Sequence, residues 1–337
     1  MNDLCRAVIL TQRPKGQASV DNFSIVERPM PAPGPGEVLT RTLWLSIDPY
    51  MRGRMSDAPS YAPSVQLGQP MTGATIGEVI ASNDPEFRPG QIVLGAFGWQ
   101  TYLVTPGAHL TALKPGAPYQ AHLGVLGMPG ATAYAGLRDI GKPRPGETLV
   151  VSAAAGAVGS VAVQLAKRNA VRVVGIAGGQ EKCNWVREIG ADACIDYRAA
   201  DDLSARLRDA CPDGVDVYFE NVGGAIQHAV FPLLNDYGRM VMCGMIAEYE
   251  EQRAPGPHLS AVVKKRLHIQ GFIVSDRRGI FNEWRTLGTD LLSSGQLKYR
   301  EQIVEGLENA PAALIALLQG RTEAKLVVRV AEPISAA

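Results

Sequence analysis

The chain has 337 residues, about two domains' worth, and 46% of them are hydrophobic, which describes a folded and not a disordered protein. Lys plus Arg is 33 and Asp plus Glu is 33, so the formal net charge is zero. With no basic stripe and no acidic tail, nucleic acid and anionic membrane surfaces are excluded as partners. The five cysteines, Cys5, Cys183, Cys194, Cys211 and Cys243, are odd in number and widely spaced. That excludes a disulfide framework and points to a reducing, cytoplasmic compartment, and the first residues do not read as a signal peptide.

Up to about residue 125, short apolar stretches at 37–47, 75–81 and 91–94 are separated by turn signals such as Pro33-Gly34-Pro35-Gly36 and Pro89-Gly90. They predict short strands in a barrel-like β domain. From Gly146 the rhythm changes. The uncharged run 148–166 has membrane-span length, but Ser152, Gly156, Gly159, Ser160 and Gln164 within it read instead as strand, turn and helix. A strand over 148–152 leads to a helix over 156–168, with Val158, Val161, Ala162 and Leu165 on one face. A strand at 171–176, a helix at 181–189, a strand at 193–195, a helix at 201–209 and a strand at 215–220 follow. Segments 225–234, 239–243 and 267–274 continue the alternation. Six strands with mostly helical connections predict an α/β fold with a doubly wound parallel sheet. Helices at 280–292 and 311–318 and a strand at 325–330 fall outside that count and are expected to return to the first domain.

Ala154-Ala155-Gly156-Ala157-Val158-Gly159 follows a strand and opens a helix, a G-x-G-x-x-G pattern with alanine at the first glycine. Gly156 lets the backbone approach a pyrophosphate, Gly159 lets helix and strand pack closely, and the helix N-terminus offers free N–H donors. A tight strand–helix turn without a ligand is the alternative. The second strand ends in Ala177-Gly178-Gly179, where an NAD site carries an acid for the ribose 2′-hydroxyl. The missing acid and the nearby Lys182 favour the 2′-phosphate of NADP, with Tyr197 able to add a hydroxyl; a solvated helix-face lysine is the other reading of Lys182.

The motifs Leu45-Ser46-Ile47-Asp48-Pro49-Tyr50-Met51-Arg52, Gly127-Met128-Pro129-Gly130-Ala131-Thr132-Ala133-Tyr134, residues 153–159, Glu220-Asn221-Val222-Gly223-Gly224, Cys243-Gly244-Met245-Ile246 and Gln270-Gly271-Phe272-Ile273-Val274 carry a resemblance over nearly the whole chain. With them the sequence resembles the medium-chain dehydrogenase/reductase superfamily. Within it the match is to the zinc-independent branch of leukotriene B4 12-hydroxydehydrogenase/prostaglandin reductases, plant double-bond reductases and bacterial curcumin reductases. The resemblance implies a GroES-like β-barrel catalytic domain (1–125 and 299–337) with a Rossmann NADP-binding domain (126–298) inserted. It also implies an active-site cleft between the domains and a homodimer formed through the Rossmann domain. Carried over by motif, the NADPH contacts are Ala154, Ala155, Gly156, Ala157, Val158 and Gly159 at the pyrophosphate. Gly178, Lys182 and Tyr197 fall at the adenosine end, and Asn221, Cys243, Gly244, Met245, Ile246, Phe272, Ile273 and Val274 at the nicotinamide end. Thr322 stands in place of a family asparagine. Tyr50 and Tyr249 match substrate-site tyrosines.

At the zinc-ligand positions of the superfamily stand Ser46, Ala74-Thr75 and Met128, none a good zinc ligand, and the five histidines share no ligand spacing, so no metal is expected. Reducing a conjugated C=C bond needs less machinery than oxidising an alcohol: hydride adds to the β-carbon, and one donor, assigned to Tyr249, stabilises the carbonyl oxygen. Cys243 has no histidine near it in sequence and is read as a cofactor or packing contact. The expected activity is NADPH-dependent reduction of α,β-unsaturated ketones and aldehydes, including curcumin-type substrates. The alternatives are a zinc-free quinone oxidoreductase and a non-catalytic NADPH-binding regulator.

Overall fold

A computed structural model of the chain describes residues 4–96, 98–250 and 255–334. Strand β1 (Leu4–Leu10) pairs antiparallel with β2 (Phe23–Pro29). The ten-residue β3 (Glu37–Ser46) runs into a single helical turn, α1 (Met51–Arg54). It is followed by β4 (Thr75–Ser82), β5 (Ile92–Gly95), β6 (Tyr102–Pro106) and β7 (Thr111–Ala112). β3 pairs with both β4 and β6, and its register against β4 shifts between Leu39 and Thr40 and again between Thr42 and Trp44. Such bulges bend a strand and let a small sheet curl. Leu10, Leu45, Met51, Met71 and Trp99 form the core here, with Phe23 stacked on Trp99 at 5.5 Å.

The next stretch comprises α2 (Met128–Ala135), β8 (Thr148–Val151), α3 (Gly159–Lys167), β9 (Arg172–Ala177), α4 (Gln180–Glu188), β10 (Ala193–Asp196), α5 (Leu203–Ala210), β11 (Val215–Glu220), α6 (Gly224–Val230), β12 (Leu234–Met242), α7 (Ser260–Lys265), β13 (His268–Gly271) and α8 (Ile280–Ser293). Its six strands form one parallel sheet in the order β10-β9-β8-β11-β12-β13. Counted from β8 this is 3-2-1-4-5-6, the doubly wound order, and the direction of winding reverses between β8 and β11. β8 is buried along its whole length, as a central strand covered on both faces must be.

The tail adds β14 (Glu301–Glu305), α9 (Ala310–Leu318) and β15 (Lys325–Arg329), which join the first sheet in the order β14-β15-β3-β4-β5-β7. The chain thus divides into one unit of 1–123, 301–322 and 326–337 and another of 124–300 and 323–325. The tail returns to the first unit, as its place outside the six-strand count suggests. β14 is not among the expected strands, because Glu-Gln-Ile-Val-Glu is a half-exposed edge whose polar residues mask its period.

Several boundaries differ from the sequence reading. Residues 152–158 are loop, so α3 starts at Gly159 and not at 156. α3 is also buried beyond its expected stripe: Val163, Gln164 and Ala166 are covered as well. Gln164 donates to the Lys298 carbonyl at 2.9 Å and accepts from the Lys298 amide at 2.8 Å, so a second segment lies against the helix. The expected strand 267–274 shortens to β13, while 239–243 lengthens to β12. Among the described residues no helix is long and apolar enough to cross a membrane.

Candidate cofactor site and active site

The loop between β8 and α3 turns through Ala153, whose φ of 47° is left-handed. Ala154, at the replaced glycine, has no positive φ, so the alanine there is unstrained. The amide of Ala154 donates to the Ile176 carbonyl and that of Gly156 to Ala153, whereas the amides of Ala155, Ala157 and Val158 have no protein acceptor among the described residues. Those open donors sit at the N-terminus of the nine-residue α3, a natural seat for a pyrophosphate. A Cβ on Gly159 would lie 2.3 Å from the Ala153 carbonyl oxygen, so glycine is required for α3 to pack on the loop.

At the ends of β9 and β10 a second group converges. Asp196 Oδ1 accepts from the amides of Gly179 at 2.8 Å and Arg198 at 3.0 Å, and these bonds hold its carboxyl below the usual range. A Cβ on Gly178 would come within 2.9 Å of both the Tyr197 ring and Arg198 Nε. Burial depresses the Lys182 ammonium; Glu323 opposes the shift and Arg198 adds to it. Two cations and a phenol therefore gather beside Asp196, which is occupied by backbone donors, with Glu323 also acting on Lys182. That donor set fits a 2′-phosphate better than a 2′-hydroxyl. Arg198 is missing from the sequence reading, although a cation beside Tyr197 was a visible signal.

The ends of β11 and β12 carry Asn221 and Cys243–Ile246. Asn221 donates through Nδ2 to the Ser152 carbonyl at 2.8 Å. The amides of Cys243 and Gly244 donate to the Glu220 carbonyl at 2.9 and 3.1 Å, and that of Ile246 to Asn221 at 3.2 Å. Burial, with Glu220 adding, pushes the Cys243 thiol up to about 12, so it is no nucleophile at neutral pH. Tyr249 is 36% exposed, and its hydroxyl accepts from the Met245 amide at 3.5 Å and lies beside Gly244. Beyond β13, Val274 is buried, Phe272 and Ile273 are half-buried, and Arg277 stacks on the Phe272 ring at 5.7 Å while pairing with Asp139. Ser152 and Glu220, which join these loops, are not among the site residues expected from the sequence, although Ser152 ends an apolar strand and Glu220 opens one of the quoted motifs.

Tyr50 and Thr322 lie in the other unit. Tyr50 is half-buried, and its hydroxyl is raised well above the phenol range by burial first and then by Asp48, with Arg54 opposing. Arg54 stacks between Tyr50 at 5.6 Å and the exposed Tyr61 at 4.8 Å. Thr322 is buried. Ser46 donates to Asp48, Thr75 is buried within β4, and Met128 begins α2. These residues do not suit zinc, and among the described residues no three His, Cys, Asp or Glu are grouped to hold a metal.

A doubly wound sheet with open amides at its first loop, a cationic corner at its second, and a separate curled β unit define a medium-chain dehydrogenase/reductase. Residues 6–113 match the model of the N-terminal domain of oxidoreductases, and residues 157–294 that of zinc-binding dehydrogenases. The chain belongs to this family, in its zinc-independent branch. It is 47% identical to the NADPH-dependent curcumin reductase of Escherichia coli, over 97% of each chain. It is 40% identical to the NADP(+)-dependent 2-alkenal reductase of Nicotiana tabacum, over 88% of each. The structure of CurA from Vibrio vulnificus in complex with NADPH superposes with a TM-score of 0.93 at 45% identity, covering 97% of this chain and 100% of that one.

Proposed function

We propose that this chain is an NADPH-dependent reductase of the C=C bond of α,β-unsaturated ketones and aldehydes. The observation that carries the reading is similarity over 97% and 88% of the chain, at 47% and 40% identity, to reductases named for curcumin and for 2-alkenals, both conjugated carbonyl compounds. When bound, NADPH supplies the hydride that adds to the β-carbon. The amides of Ala155, Ala157 and Val158 hold the pyrophosphate, with Gly156 and Gly159 allowing its approach. Lys182, Arg198 and Tyr197, around Gly178, hold the 2′-phosphate. Asn221, Cys243–Ile246, Phe272, Ile273 and Val274 flank the nicotinamide end, and Thr322 adds a polar contact to the cofactor. The Tyr249 hydroxyl donates to the substrate's carbonyl oxygen as negative charge builds there, the role of an oxyanion donor. Tyr50 contacts the substrate. No step is assigned to a metal, since Ser46, Ala74 and Met128 supply no ligand set.

The β unit is assigned to substrate and the doubly wound unit to NADPH. The working assembly in this reading is a homodimer through the doubly wound unit. Its support is the edge strand β13, exposed along its length, with Leu259 and Val263 at the preceding helix α7 66% and 80% exposed. The five unpaired thiols support a cytoplasmic location.

A screen of NADPH oxidation over enones, enals and quinones, with product identification, tests the activity. The reading expects saturated ketones or aldehydes as products. Turnover of quinones alone would overturn it in favour of a quinone oxidoreductase, and no turnover on any conjugated carbonyl would favour a non-catalytic binder.

A further inference from the structure

One carboxylate joins the loops that leave the carboxyl ends of β8, β11 and β12. Glu220 ends β11 with 0% exposure. Its Oε1 accepts from Ser152 Oγ and from the Val222 amide, both at 2.7 Å, and its Oε2 accepts from the Tyr218 hydroxyl at 2.7 Å. Ser152 Oγ in turn accepts from the Asn221 amide at 2.8 Å. Through its own carbonyl Glu220 also receives the amides of Cys243 and Gly244.

Burying a carboxylate is costly unless donors surround it, and an apolar residue of similar volume would avoid the cost. Sheet pairing does not require it either. The β8–β11 ladder runs from Leu149 opposite Val217 to Val151 opposite Phe219, and one further backbone bond, Ser152 to Phe219 at 3.1 Å, closes it. Beyond that point the two backbones separate, and the Ser152–Glu220 link is the side-chain continuation of the ladder into the loops. The place is the point where the winding of the sheet reverses, where dinucleotides bind in doubly wound sheets.

We propose that Ser152 and Glu220 are a positioning pair for the dinucleotide. They touch no cofactor atom themselves. They hold the pyrophosphate loop and the Asn221 loop at a fixed separation, and through the Glu220 carbonyl they set the start of the Cys243–Ile246 segment. This rests on the NADPH site proposed above.

The test compares NADPH dissociation constants and unfolding midpoints for wild type, Ser152→Ala, Glu220→Ala, Glu220→Gln and the double variant Ser152→Ala/Glu220→Ala. Val150→Ala, a core truncation in β8, is the control for plain loss of stability. Ser152→Ala should weaken NADPH binding by about tenfold, the scale of one charge-assisted hydrogen bond. The double variant should lose no more than the worse single one, as partners in one network do. Glu220→Gln should stay within about threefold of wild type, because its carbonyl can accept from Ser152 and Val222 while its amide donates to the Tyr218 oxygen. Val150→Ala should lower the midpoint and leave NADPH affinity unchanged. If Glu220→Ala does not fold, Ser152→Ala and Glu220→Gln decide the matter. Wild-type affinity in Ser152→Ala, additive losses in the double variant, or an equal loss in Val150→Ala would overturn the pairing. A wild type that binds no NADPH would overturn the cofactor site itself, an outcome separable from the others.

Discussion

Lys182 is the cation assigned to the 2′-phosphate in the proposed NADPH site. Burial depresses its ammonium, Glu323 opposes the shift and Arg198 adds to it, so the net effect disfavours the charged form until an anion binds. A 2′-phosphate would relieve that imbalance. Lys182→Ala should weaken NADPH binding by about tenfold to a hundredfold and leave NADH nearly unchanged. Arg198→Ala should act in the same direction but less, since Arg198 is exposed. Titration calorimetry with both cofactors checks this, and equal losses for the two would refute the assignment. The pH dependence has a definite sign. The protonated lysine attracts the phosphate, and its depressed pKa means the proton leaves below the usual lysine value near ~10.4. Preference for NADPH over NADH should therefore decline with rising pH before that value, and Lys182→Arg should remove the decline. Tyr249 is tested by Tyr249→Phe, which deletes one hydroxyl and keeps the ring. Losing an oxyanion donor costs about a hundredfold to a thousandfold in kcat. A loss at or below the lower end is expected, because a cofactor hydroxyl can compensate, and NADPH affinity should hold. Unchanged single-turnover hydride transfer to an enone would remove Tyr249 from the mechanism and leave Tyr50 or the cofactor ribose as the donor.

At the scale of an element, the strand–loop–helix of β8 and α3 separates two uses of glycine. The Gly159 position has no room, since an added Cβ would meet the Ala153 oxygen at 2.3 Å and Ala154 Cα at 2.8 Å. At Gly156 the nearest atom would be 3.1 Å away. Gly159→Ala should therefore push α3 off the loop and lower stability by about 1–3 kcal/mol, the usual scale of overpacking. Gly156→Ala should unfold close to the wild-type midpoint and weaken NADPH binding instead, because in the proposed site its methyl group would crowd the pyrophosphate. Thermal unfolding with and without NADPH distinguishes the two. A larger fall in stability for Gly156→Ala than for Gly159→Ala would contradict this division of roles.

For the whole molecule, the proposed dimer depends on an unprotected sheet edge. All four residues of β13 are exposed, and an uncovered edge strand is a template for pairing with another chain. Ile269→Lys combined with Val263→Glu should yield a monomer by light scattering while NADPH affinity holds, since neither residue is assigned to the cofactor. A variant that remains dimeric would place the interface elsewhere.

Much of this was readable along the chain because the signals are local. The alternation of 148–220, the loop 154–159 and the absent acid before Lys182 each depend on neighbours a few residues apart, where strand burial, helix period and turn chemistry act directly. The tail's separateness from the doubly wound sheet was legible as a surplus over six strands and through the motif resemblance, and β14 was not legible at all, because a short polar edge strand is made by the strand it pairs with. The Ser152–Glu220 link spans 68 residues of sequence. Nothing local announces it, for a buried serine and a buried glutamate become partners only when β8 and β11 lie side by side at the reversal of winding. The sequence by itself determined the fold class and the strand–loop–helix in which the proposed phosphate loop lies. The tertiary structure alone decided which distant polar groups share one buried site, because burial makes their pairing obligatory and strand order decides who the neighbours are.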